Sequence, residues 1–117
     1  ERINPSTNQV EFSIDLGATY HPSHLAVNPS GDVLYYSGDY TIAGIFTFSI
    51  DATSTLSTPL INDYFYGFSV NPSNGEIIGL LAPTFTQSGT MNRYTSDGAF
   101  IKSYTVGIGP NSAYFGN

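Results

Sequence analysis

Two histidines, a run of aromatics and one asparagine are the residues whose types and spacing could do chemistry. His21 and His24 are the only imidazoles and lie three apart around Pro22. An imidazole exchanges protons near neutral pH and is a common metal ligand. Here the two sit on a loop with no third or fourth ligand at a metal-binding spacing, so no metal and no cofactor is expected. The alternative role is hydrogen bonding within the loop. Tyr64, Phe65 and Tyr66 follow one another. They can stack on a sugar or another flat ligand, or fill the space between sheets. Asn111 follows Pro110 in a third loop of the same kind. His21, His24, Tyr64, Tyr66 and Asn111 are therefore the candidate ligand-binding residues.

The acids do not form a reactive pair. Asp32 and Glu76 occupy matching turn positions in two copies of a repeat, too far apart in the chain's layout for paired acid–base work, so they read as turn formers. Asp97-Gly98 is a hairpin signal. Asp39, Asp51 and Asp63 stand alone, outside any calcium-loop pattern. There is no G-x-S-x-G elbow, no phosphate-binding loop and no H-E-x-x-H pair. No catalytic residue is singled out, and the chain is expected not to be an enzyme.

These residues hang on a repeated unit. Leu25-Ala26-Val27-Asn28-Pro29-Ser30 aligns without a gap on Phe68-Ser69-Val70-Asn71-Pro72-Ser73, so that Val27 and Val70 are 43 positions apart. After one extra residue, Asn74, Gly31-Asp32-Val33-Leu34 matches Gly75-Glu76-Ile77-Ile78. Each copy reads strand, Asn-Pro turn, glycine, acid, strand: a hairpin. Val10 to Gly17 alternates apolar and polar, with Val10, Phe12 and Ile14 on one face, and aligns with Phe100 to Gly107. Pro22 and Pro110, 88 positions apart, follow the two copies. Ile42–Ile50 and Gly89–Tyr94 supply the third strands, and Leu56–Ile61 an outer strand. No helical periodicity survives the Pro and Gly interruptions.

The expected fold is all-β: four-stranded antiparallel units of the β-propeller type, about two and three-quarter blades of an incomplete ring. Residues 1–117 form one repeat domain. Residues 1–17 are the last strands of a partial blade, 24–61 and 66–106 are blades, and 111–116 is the first strand of the next.

At these residues the chain resembles the YVTN-type bacterial propellers and their YncE-like and NHL-like relatives. The pattern is Gly17, Pro22, then Leu25-Ala26-Val27-Asn28-Pro29-Ser30-Gly31-Asp32-Val33-Leu34-Tyr35. The stretch from Tyr66 onward is also similar to the last blade of secreted propeller-like proteins. The resemblance implies blade architecture and a ligand face on the channel side, where the loops carrying His24, Tyr64 and Asn111 would open.

Composition narrows the partners. Nine acids against three bases leave a net charge of −6, and Arg2, Arg93 and Lys102 are scattered. Nucleic acid needs clustered cations, so it is excluded, and anionic membrane surfaces are disfavoured. No apolar run is long enough to span a bilayer as a helix. There is no cysteine, which removes disulfides and thiolate sites. The hydrophobic share of 40% with 15% aromatics is too apolar for disorder. The chain starts at Glu1 rather than Met, which points to a processed or partial polypeptide.

The first reading is a non-catalytic binding or scaffold module of a secreted or cell-envelope propeller, whose partners are its remaining blades. The second is a self-assembling extracellular subunit. In it Ser112, Ala113, Tyr114 and Phe115 add as a strand to the Val10–Phe12–Ile14 unit of another copy. The third, a propeller enzyme, requires polar groups converging near His21 and His24.

Overall fold

Period-two patterning cut by Pro, Gly and Asn builds strands joined by tight turns, and the computed structural model shows how far that carries. It describes residues 1–16, 21–38, 42–54 and 57–116. Gly17, Asp39 and Leu56 lie outside the described residues. Among those described there are strands and no helix. β1 (Arg2–Asn4) and β2 (Gln9–Phe12) pair as a two-stranded sheet. β3 (Leu25–Val27), β4 (Val33–Ser37) and β5 (Ile45–Ser49) form a three-stranded meander. β6 (Gly67–Val70), β7 (Ile77–Leu81), β8 (Ser88–Tyr94) and β9 (Phe100–Ile108) form a four-stranded one. All pairings are antiparallel between consecutive strands.

The repeated turns are closed by the same two kinds of backbone bond, the glycine bond spanning one residue more in the second because of the inserted Asn74. Asn28 N–H donates to the Val33 carbonyl at 3.0 Å and Gly31 N–H to the Asn28 carbonyl at 3.0 Å. In the next copy Asn71 N–H donates to the Glu76 carbonyl at 2.8 Å and Gly75 N–H to the Asn71 carbonyl at 2.8 Å. Gly31 and Gly75 have φ of 78° and 76°, a region that a Cβ disfavours. Asn28 Oδ1 accepts from the amides of Asp32 and Val33, both at 3.0 Å. The inserted Asn74 takes over part of that task, accepting from Glu76 N–H at 3.0 Å.

Alternation then sends side chains to two places. Tyr35, Ile45, Ile61, Phe68, Val70, Ile77 and Tyr94 form the core cluster between the two larger sheets, with Ile45 and Ile77 fully buried. The inner strands β3 and β6 lie against each other. From the opposite face of the middle sheet, Leu34, Tyr36 and Phe48 meet Phe12, Ile14 and Leu16 across an apolar groove of about 420 Å³. Tyr36 and Phe46 stack at 5.4 Å. Glu76 does more than close its turn. Its carboxylate receives Arg93 Nε at 2.5 Å and a second guanidinium nitrogen at 2.8 Å, and Arg93 also reaches the Tyr104 hydroxyl at 3.4 Å.

Among the described residues two expected strands are not formed. The outer strand of the middle sheet shrinks to a single bridge between Ile45 and Ile61. Pro59 has no N–H to give a ladder, and its ring lies against Gly44. Residues 111–116 make no ladder either. This segment meets the side-chain face of β6 rather than its edge: Ala113 N–H donates to Ser69 Oγ at 3.0 Å. Gly67 lets it pass, since a Cβ there would overlap the Asn111 carbonyl. Of the proposed strand-addition residues, Ser112 and Tyr114 are exposed, and Ala113 and Phe115 are half-buried. Phe12 and Ile14 face the groove, and Val10 is exposed.

Candidate functional site

Every inner strand begins at the same end of its sheet, so the loops entering them converge. The loop before β3 brings Ser23 and His24, the loop before β6 brings Asp63 to Tyr66, and Asn111 opens the tail segment. Together with Gly38, Ala43, Gly44 and Ala82 they line a cavity of about 510 Å³. Thus His24, Tyr64, Tyr66 and Asn111 come together from distant parts of the chain. His21 is exposed and is not among the lining residues.

The aromatic triplet splits by alternation. Tyr64 and Tyr66 stand out at the mouth, 61% and 42% exposed. Phe65 turns its ring over Gly79 and meets Tyr94 edge-on at 6.1 Å. Phe85, from the loop between β7 and β8, packs edge-on against Tyr66 at 5.2 Å and is itself exposed. Tyr66 lines the cavity, and Phe85, outside the lining, buttresses its ring.

The polar side of the mouth rests on hydroxyls. Ser37, at the end of β4, is buried at 3% exposure, and its Oγ accepts from the amides of Ser23 and His24 at 3.3 and 3.2 Å. Ser23 Oγ lies 3.3 Å from Ser37 Oγ and 2.9 Å from His24 Nδ1. The His24 ring leans on Phe68 at 6.2 Å. Asp63 caps its own loop by accepting Tyr64 N–H at 2.8 Å. Burial, and then the Asp63 charge, push the Tyr94 phenol up from its ordinary value. Among the described residues no Lys or Arg lines the cavity. Among the described residues no three His, Asp or Glu side chains cluster as a metal site.

Ser23, Ser37, Asp63 and Phe85 were not candidates from sequence. Asp63 looked isolated because its neighbours at the mouth come from other loops. The Ser23-His24 adjacency was the one signal available.

No family model matches the sequence, and no curated protein matches it. Among solved structures, a gluconolactonase of Xanthomonas campestris, described as important in glucose secondary metabolic pathways, is similar over 82% of this chain with TM-score 0.59 and 18% identity. The chain spans 31% of that protein's length. This finding overturns the expectation that the chain is not an enzyme, because the similar protein is one. At this identity the likeness speaks for the fold, and the fold is all-β and propeller-type, with sheets that fit partial blades.

Proposed function

We propose that this chain supplies blades to a propeller whose loop-side mouth binds a small, uncharged, hydroxyl-bearing ligand. The observation that carries the reading is the convergence of three separate loops on one cavity of about 510 Å³. Tyr66, buttressed by Phe85, offers an apolar face, and Asp63, His24 and Asn111 offer hydrogen bonds. The lack of a lining cation argues against an anionic ligand. The gluconolactonase likeness makes a sugar lactone a sensible first ligand to try, and leaves catalysis on it within the proposal. The narrower kinship to YVTN-like propellers, and a secreted or envelope setting, belong to the same proposal; the Asn-Pro-Ser repeat supports the first and the low charge the second. Further blades, from the same protein or from other copies, are proposed to cover the apolar groove and the tail side.

The experiment is an NMR titration of the 15N-labelled chain with glucono-1,5-lactone and with glucose at millimolar concentrations, together with a lactone-hydrolysis assay. Shifts confined to His24, Tyr64, Tyr66 and Asn111, and abolished by Tyr66→Ala, support the reading. Shifts scattered over the surface, or none, refute it.

A further inference from the structure

The hydroxyls behind His24 form a chain with a direction. Ser37 Oγ accepts two backbone N–H groups, from Ser23 and His24. A hydroxyl has two acceptor lone pairs and one proton, so both lone pairs are occupied and only the proton remains to be placed. Ser23 Oγ, 3.3 Å away, is the acceptor beside it. Ser23 Oγ lies 2.9 Å from His24 Nδ1, so its own proton, not needed toward Ser37, is free to go to that nitrogen. The tautomer of a neutral imidazole is set by the hydrogen bond its other nitrogen makes.

We infer that Ser37 and Ser23 act as positioning residues that hold neutral His24 with its proton on Nε2, so that the mouth offers its ligand an N–H donor there. The ligand class follows: it presents an oxygen acceptor, such as a carbonyl or ring oxygen, to His24, and hydroxyl protons to Asp63. An imidazole held this way does not offer Nε2 as a base. The assignment of a ligand class rests on the mouth being the binding site. The proton placement does not.

The test is therefore made on the free 117-residue chain with 15N-labelled histidine. Long-range 1H–15N correlation on the neutral ring reports which ring nitrogen is protonated. Free imidazole already leans toward the Nε2–H form, so the comparison between variants is the informative one. Removing one net hydrogen bond should raise the Nδ1–H fraction of His24 roughly three- to tenfold in Ser23→Ala. Ser23→Thr, which keeps the hydroxyl, should restore the original distribution. Ser37 is buried, and Ser37→Ala costs stability as well, so the exposed Ser23 carries the test. An Nδ1–H tautomer in the unaltered chain, or a distribution that Ser23→Ala leaves unchanged, overturns the inference. If the relay holds but the titration above finds no ligand at the mouth, the binding proposal fails and the proton placement stands.

Discussion

Gly67→Ala tests how the tail segment is seated, and its sign is the decisive quantity. In an ordinary strand position, replacing glycine by alanine stabilises a protein by about 0.4–1 kcal/mol, because the unfolded chain loses freedom. Gly107 on β9 is such a position, with no atom within 4 Å of the Cβ it lacks. Gly67 is the opposite: its Cβ would overlap the Asn111 carbonyl. Forcing a methyl into a filled site costs about 1–3 kcal/mol. The chain has a cheaper escape, which is to release residues 111–116. The hydrogen bond from Ala113 N–H to Ser69 Oγ is worth about 1 kcal/mol. We expect Gly67→Ala to lower stability by about 1 kcal/mol, a fall of roughly 4 °C in Tm. We expect Gly107→Ala to raise it. Urea unfolding of both variants gives the signs, and hydrogen exchange at the Ala113 amide reports whether the tail has left. If Gly67→Ala is as stable as Gly107→Ala and keeps Ala113 protected, the tail does not lie where the structure puts it.

Three further outcomes follow from named contacts. Arg93 holds the Glu76 carboxyl below its ordinary value, chiefly through their hydrogen bonds, so this pair's contribution is present above the unfolded value of about 4.3 and is lost as pH falls through the lowered one. Glu76→Gln should cost about 1 kcal/mol at neutral pH, since Arg93 is partly exposed, and should flatten the acid limb of a urea-midpoint profile. Burial raises the Tyr35 and Tyr94 phenols, so their contribution is complete below the unfolded value of about 10 and is lost as pH rises toward the raised one. Tyr94→Phe should soften the alkaline loss measured by circular dichroism. Ile77→Ala empties a fully buried site in the core cluster and should cost about 2–5 kcal/mol in chemical denaturation.

The inner half of the architecture was readable from residues alone, because Asn-Pro-Ser turns, positive-φ glycines and strict alternation are local signals. Val27 and Val70 mark inner strands of neighbouring sheets for that reason. What was not readable depends on approach from a distance. Pro59 thins the outer rim through its missing donor and its seat against Gly44, and nothing in its neighbours' types announces that. The split of Tyr64, Phe65 and Tyr66 was implicit in period two, but the depth of Phe65 depends on Gly79, opposite Phe68 in the ladder. At the mouth, His24, Tyr64, Tyr66 and Asn111 could be proposed because equivalent loops share one end of a repeated sheet. Asp63 could not, nor Phe85 as the brace of Tyr66, since a lone acid and a lone exposed phenylalanine gain meaning only beside side chains from other parts of the chain.

The single bridge between Ile45 and Ile61 couples the rim to the mouth. Residues 57–61 grip the middle sheet at one point. Pro59 packs on Gly44, which lines the cavity, and Asp63 of the mouth follows Ile61 by two residues. A change at that outer margin therefore reaches the ligand-facing loops first, while the β3–β4 and β4–β5 ladders are held by their own pairings.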